Sequence, residues 1–339
     1  MKKQAETIYL DSAISNYLDT VKMSRSEHTA RAYKNALNIF QAVLIEQWFD
    51  PKITPAEKLT EDMISHFAVY LKNFSPATER LYLQSAIGFY KYISAERLAD
   101  INLPRMDLLI KQRKRKAGIR LPQFPADDIE SVLAFVKDSE NLVPAEQDKV
   151  DLSGRLRAMR DRAFLFVLAD TGLRVHEACK LRRGDVDWNE GRAIIIGKGD
   201  KQAVVRFSTR SIKALKDYLS LRAPLDGGSG KQLTALPLFA RHDKGAGKKI
   251  KPITTTTGRN IVAERVVQIL GESAAGKITP HSFRHYFVTT VLRGSGNLKL
   301  AQELARHANI QVTQRYAHLN DDELDKGYYN IFENNEKIK

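Results

Sequence analysis

Along the first hundred residues apolar side chains recur every three or four positions, the spacing of helices that bury one face. Leu10, Ile14, Tyr17, Leu18 and Val21 share such a face and predict a helix from about Tyr9 to Val21. Ala30, Tyr33, Leu37 and Phe40 predict a second helix, with hydroxyl caps at Ser24 and Ser26 ahead of Glu27. Pro51 and Pro55 break the chain. Thr60-Glu61-Asp62 caps a third helix through Leu71, and Ser75-Pro76 opens a fourth that carries Leu81, Ala86, Phe89, Tyr90 and Ile93. A short piece limited by Pro104 leads onward. The expectation is a four-helix module over residues 7–112.

A second part begins near Leu121-Pro122, with Asp127-Asp128 capping a helix. Arg157 to Ala169 predicts a strongly apolar helix, and Asp170-Thr171-Gly172-Leu173-Arg174 a turn that re-enters a helix at Val175 to Lys180. The runs AIIIG (193–197) and AVVRF (203–207), separated by Lys198-Gly199-Asp200-Lys201-Gln202, predict a β-hairpin. Residues 224–260, rich in Gly, Lys and Thr, read as loops around a short PLF strand. From Ser282 the chain is helical again: one helix after Thr279-Pro280, one around Leu298 to Arg306 and one near Thr313. The fold class is mainly α with a small β-hairpin or sheet (α+β), in two domains: 7–112, a linker at 113–122, and 123–339.

Composition narrows the class. The 339 residues suffice for two domains, and 43% apolar with 28% charged residues excludes wholesale disorder. One cysteine, Cys179, excludes a disulfide-stapled scaffold and a multi-cysteine zinc site. The basic N-terminus lacks an apolar signal segment, and no window approaches eighteen uninterrupted apolar residues. The expectation is a soluble cytosolic protein. Charge is uneven: the total is +14, residues up to Lys111 sum to +1, and KQRKRK at 111–116 puts five cations into six positions. Such an excess suits a polyanion, a nucleic acid or an acidic membrane face.

The candidate chemistry rests on Arg174, Lys198, His281, Arg284, His307 and Tyr316. His281 and Arg284 stand three apart at a helix start, where main-chain N–H groups and the dipole favour a phosphate. Arg174, just after Gly172, could bring a second guanidinium to the same anion. Two arginine forks and two imidazoles can hold a phosphodiester while a tyrosine attacks it. Taken singly, each has a plainer reading as surface charge, core edge or helix-end histidine. His281 and His285 at i, i+4 have metal-pair spacing, but the glutamate of an HExxH motif and a third ligand are absent, so no metal is expected. Cys179 reads as buried and inert.

Together these residues carry a resemblance. TGLRVHE (171–177), GKG (197–199), HSFRH (281–285), Arg306-His307 and RYAH (315–318) occur in that order; Lys198 lies 24 residues after Arg174, His307 lies 23 after Arg284, and Tyr316 lies 9 after His307. Order and spacing resemble the tyrosine recombinase (phage integrase) family, most closely its Xer-type members, and the N-terminal helices resemble that family's SAM-like core-binding domain. The resemblance spans nearly the whole chain. It departs at one point: the family has Leu-Gly-His before the second histidine, and this chain has Leu304-Ala305-Arg306-His307. Two expectations follow for Arg306, a DNA contact or an altered approach of His307. The stretch from Ala223 to Thr257 is also longer and more basic than in a minimal Xer protein.

The resemblance implies a site-specific recombinase or integrase that cuts and rejoins double-stranded DNA through a 3′-phosphotyrosyl intermediate. Tyr316 would be the nucleophile, His281 its proton acceptor and Lys198 the acid for the leaving 5′-oxygen. Arg174, Arg284 and His307 would hold the non-bridging oxygens, and Glu177 would orient an arginine or histidine. No cofactor is implied. Lys111, Arg113, Lys114, Arg115, Lys116, Lys201, Arg241 and Arg259 are the expected DNA contacts. The implied partners are a specific recombination site, a homotetramer on two such sites with the tail after Tyr316 docking in trans, and a second recombinase or accessory protein; the implied location is the cytoplasm, at the nucleoid. Competing readings are a type IB topoisomerase and a non-catalytic DNA-binding relative. A membrane-surface protein fits the charge but lacks a basic amphipathic helix with an aromatic face.

Overall fold

The computed structural model describes residues 7–115, 125–138, 142, 152–196, 202–243, 245, 249–307, 309, 310 and 313. They divide near residue 120 into two compact units.

The first unit is built of α1 (Leu10–Ser24), α2 (Glu27–Glu46), α3 (Asp62–Tyr70), α4 (Pro76–Ala95) and α5 (Leu103–Arg113). Ser26 and Ser75 cap α2 and α4 by accepting from the N–H groups of Thr29 and Thr78. Leu10, Ile14, Leu37, Phe40, Phe67, Phe89 and Ile93 form the core, with Phe40 edge-on to Phe67 at 5.1 Å. Tyr90 is buried with them and donates its hydroxyl to the Thr60 carbonyl at 2.9 Å. Three expectations change. A fifth helix follows the four, because Pro104 occupies the first turn of α5, where its missing N–H is harmless, and Asn102 caps it. Leu81 faces outward, since α4 buries Leu83, Ala86, Phe89, Tyr90 and Ile93 instead. No side chain caps α3 at Glu61.

The second unit comprises α6 (Ala126–Lys137), α7 (Leu152–Thr171), α8 (Val175–Lys180), β1 (Val186–Asp187), β2 (Arg192–Ile196), β3 (Gln202–Arg206), α9 (Thr209–Gly227), α10 (Thr255–Leu270), α11 (Pro280–Ser295) and α12 (Leu298–Ala305). Helix α7 is buried continuously from Ala163 to Ala169 and packs against α9 and α11, as a segment apolar all round must. The three strands form one antiparallel sheet in the order β1-β2-β3, with Ile194 opposite Val204. A polar network threads this core: Arg222 and Asp226, both fully buried, pair at 2.9 Å, and Arg222 also donates to the Tyr218 hydroxyl, itself 2.7 Å from His242 Nε2.

Here too the sequence reading needs correction. Residues 224–260 are not all loop: α9 continues through Pro224 to Gly227, and α10 starts at Thr255. The threonine run that looked like a loop is an N-cap and first turn, with Thr254 accepting from the Thr257 N–H at 3.1 Å. The PLF segment makes isolated bridges, Arg182 to Pro237 and Ala240 to Pro252, rather than a strand. Asp127 and Asp128 lie within the first turn of α6, after Pro125, where their charge complements the positive end of its dipole rather than capping it. The hairpin turn with Lys198 and Lys201, the helix expected near Thr313 apart from Thr313 itself, and Tyr316 with its tail lie outside the described residues.

Candidate active site

The site is assembled around one turn. Helix α7 ends at Thr171, whose hydroxyl donates to the Val167 carbonyl and accepts from the Leu173 N–H at 3.2 Å. Gly172 takes φ +59°, the left-handed conformation glycine adopts most easily, and reverses the chain into α8. Arg174 stands at the N-cap of α8, its N–H donating to Glu177 Oε2 at 2.8 Å and its Nη1 to Glu177 Oε1 at 2.9 Å. Its side chain stays 43% exposed while that of Glu177 is 4% exposed. Burial alone would raise the Glu177 pKa, but the Arg174 N–H groups and the charge of Arg306 hold it below the usual carboxylate range, so the group remains an anion.

Helix α11 supplies the next two groups. Thr279 and Ser282 form a capping box, Pro280 fills the first turn, and His281 and Arg284 fall three apart. Arg284 is 2% exposed and donates to two carbonyls, those of Gly172 and of Ala305. This one guanidinium therefore ties the turn before α8 to the last turn of α12. His307 follows α12, its N–H on the Gln302 carbonyl and its Nδ1 2.9 Å from the Thr313 hydroxyl.

The electrostatics agree with this convergence. Burial, then Arg284 and Arg174, hold His281 below the ordinary imidazole pKa. Burial with the same two arginines lowers His307 to about 4, and burial with His281 and Arg284 lowers His285 to about 4. The imidazoles are thus neutral at pH 7, inside a field set by arginines. The rings of His281 and His285 meet edge to face at 4.3 Å, and among the described residues no group of three or more His, Cys, Asp or Glu side chains could hold a metal.

The structure brings Arg174, Glu177, His281, Arg284 and His307 to one place. The sequence gives no sign of the Gly172 carbonyl's part, and it marks Arg306 without showing its partners. Arg306 points neither to an exposed surface nor at His307. Its Nη2 lies 3.3 Å from Glu177 Oε2 and 3.3 Å from the Gly172 carbonyl.

The expected DNA contacts separate by burial. Lys111, Lys114 and Arg259 are exposed, and Arg113 is half-buried. Arg241 is engaged by Asp243 at 2.8 and 2.9 Å. Arg115 turns inward, against expectation: its Nε pairs with buried Glu79 and its Nη2 donates to the carbonyls of Leu71, Lys72 and Phe74. A guanidinium so committed holds the start of the basic segment onto the first unit rather than reaching outward. Lys116 lies outside the described residues.

Buried Arg284, exposed Arg174 and the neutral imidazoles of His281 and His307 together offer the cations and hydrogen-bond donors that suit an anionic group. Residues 127–323 match the phage integrase family. The chain is 30% identical to the tyrosine recombinase XerC of Thermodesulfovibrio yellowstonii over 310 residues, covering 90% of this chain and 91% of that one. It is 28% identical to XerC of Bacillus subtilis, with 91% of each covered. In fold it is similar to the XerH site-specific recombinase bound to palindromic difH substrate, with a TM-score of 0.65 and 19% identity over 94% of each chain. The Tn1549 transposon integrase in complex with transposon right end DNA gives a TM-score of 0.63 at 19% identity, covering 94% of this chain and 99% of that one. The chain belongs to the phage integrase family and is a site-specific tyrosine recombinase, an enzyme that cleaves and rejoins DNA strands.

Proposed function

We propose that Tyr316 is the nucleophile and that the cluster around Gly172 holds the scissile phosphate. The observation that carries this is the pair of bonds from buried Arg284 to the Gly172 and Ala305 carbonyls, which draws Arg174, His281 and His307 together. The tyrosine oxygen attacks phosphorus, its proton passes to neutral His281, and a 3′-phosphotyrosyl ester forms as the bond to the 5′-oxygen breaks. Lys198 gives that oxygen its proton. Attack by a free 5′-hydroxyl reverses the steps and joins a new partner strand, so the ester conserves the energy of the broken bond.

Arg174 and Arg284 divide the electrostatic task. Arg284 lends its cation from beneath the site, and half-exposed Arg174 meets the non-bridging oxygens at the rim, with His307 donating to one of them. Glu177 keeps Arg174 on the N-cap. The helical unit serves as the core-binding domain (residues 7–112), the basic segment 113–122 as linker and residues 123–339 as catalytic domain. Lys111, Lys114 and Arg259 contact phosphates. The substrate is a double-stranded recombination site; the assembly is a homotetramer on two sites with the tail docking in trans, acting in integration, excision or chromosome-dimer resolution at the nucleoid. Among the described residues no helix is long and apolar enough to cross a membrane.

Capture of covalent adducts tests the reading. The protein is incubated with fragmented genomic DNA and with a nicked duplex pool in EDTA, denatured, and both ends of each adduct are sequenced. A 3′ end on Tyr316 at one recurring sequence, absent in Tyr316→Phe, supports it. Adducts without sequence preference favour a topoisomerase, and tight salt-sensitive binding without adducts favours a DNA-binding protein.

A further inference from the structure

We infer that Arg306 is a positioning residue for strand cleavage, acting through Glu177 to hold Arg174 in place; the inference rests on the function proposed above. Arg306 ends α12 at φ +57° and ψ +43°, the left-handed C-terminal position that glycine occupies without strain. An arginine there accepts backbone strain, and strain held by its surroundings concentrates at functional sites. The side chain then folds back over the turn and is 11% exposed.

Its Nη2 reaches Glu177 Oε2 and the Gly172 carbonyl, each at 3.3 Å. These are the same two groups that organise the rest of the site. Glu177 receives both the N–H and the Nη1 of Arg174, and the Gly172 carbonyl also receives Arg284. One carboxylate thus lies between two guanidiniums. Glu177 grips Arg174 through its N–H and Nη1, and Arg306 fixes the same carboxylate from the other side, so the guanidinium of Arg174 is held at one place on the rim while its side chain stays 43% exposed. Arg306 itself reaches these groups through Nη2, and its Nη1 is buried with no hydrogen-bond partner among the described residues. Its charge therefore matters more than its second arm, and lysine is a fair substitute.

The test uses the full-length chain with R306G, R306K, E177Q and the double variant R306G/E177Q. Adduct formation is followed in single turnovers on the nicked duplex pool, alongside the DNA dissociation constant and thermal unfolding. Glycine suits the left-handed position, so R306G is expected to fold and to bind DNA within about twofold of the parent while its cleavage rate falls about tenfold. R306K should recover a substantial part of that rate. Because the effect runs through Glu177, R306G should add less than about twofold to the loss already caused by E177Q. Cleavage by R306G at the parent rate overturns the inference. So does a tenfold loss that persists in the E177Q background, since the residue would then act directly, and so does a loss fully explained by weaker DNA binding or unfolding. If the parent forms no Tyr316 adduct, the function proposed above fails and this inference falls with it.

Discussion

Replacing Gly172 by alanine tests how tightly the turn beneath Arg174 is built. The added Cβ would enter a backbone at φ +59° and lie 2.4 Å from Phe287 Cδ1 and 2.9 Å from its Cε1. Left-handed backbone penalises a non-glycine residue by about 1–2 kcal/mol. Moving the half-buried ring aside adds about 1–3 kcal/mol, so the variant should lose about 2–5 kcal/mol. Phe287 packs on Val288, Leu292, Ala301 and Ala305, so the disturbance reaches the α11–α12 contact that leads to His307. Two further glycines separate the penalties. Gly230 is left-handed at φ +68° with nothing within 4 Å of a Cβ, whereas Gly258 has ordinary helical backbone but would set a Cβ 2.9 Å from both Cys179 Sγ and Val175 Cγ2. Urea unfolding can be read from Trp188 in a Trp48→Phe background, since Trp48 is 96% exposed and belongs to the other unit. G230A should lose about 1–2 kcal/mol through backbone alone. G258A should lose about 1–3 kcal/mol through overlap, partly returned by better helix propensity. G172A should lose the most of the three. A G172A variant no less stable than G230A would refute the packing argument.

Acid should destabilise the second unit partly through His242, which burial and then Arg160, Arg222 and Arg157 hold at about 3. An unfolded histidine binds its proton near 6.5, so this contribution is complete above that pH and is lost as pH falls from about 6.5 toward 3, with a limiting slope of about 1.4 kcal/mol per pH unit. His242→Gln should flatten stability between those limits in urea titrations, and an unchanged slope would contradict the assignment. Because burial, Arg284 and Arg174 lower His281, the proton acceptor stays neutral into mild acid. The acid limb of single-turnover cleavage should therefore lie below about 6.5, and a limb above that value would argue for another acceptor. Arg115→Ala should leave the salt slope of DNA binding unchanged while weakening the first unit by about 1–3 kcal/mol, since Glu79 keeps Lys72 at 2.9 Å. Lys111→Ala and Lys114→Ala should each reduce that slope by about one. The reverse pattern would show Arg115 on the phosphates.

Much of this protein is legible in local sequence because its signals are local. Helix starts follow from Ser26 and Ser75, whose hydroxyls accept from N–H groups three residues on, and from Thr279, whose N–H donates to the Ser282 hydroxyl, and the hairpin from two apolar runs about one turn apart. The six candidate catalytic residues stand out by type, because chemistry on a phosphodiester demands cations, imidazoles and a nucleophile whatever the packing, and by order and interval through the resemblance to the family. Where an element depends on context the reading slipped. Pro104 reads locally as a stop yet opens the 11-residue helix α5; Thr254 to Thr257 reads as loop because threonine serves caps and loops alike. Charge was the least legible property. Arg115 and Lys114 are neighbours in one basic run, yet the first bonds buried Glu79 and the second is exposed, because only the folded unit brings residues 79 and 115 together. Arg306 makes the same point inside the site. The sequence by itself marks it as a charge where the family has glycine, but only the tertiary structure, by bringing Glu177 and the Gly172 carbonyl within reach of a residue more than a hundred positions away, decides that the charge points inward.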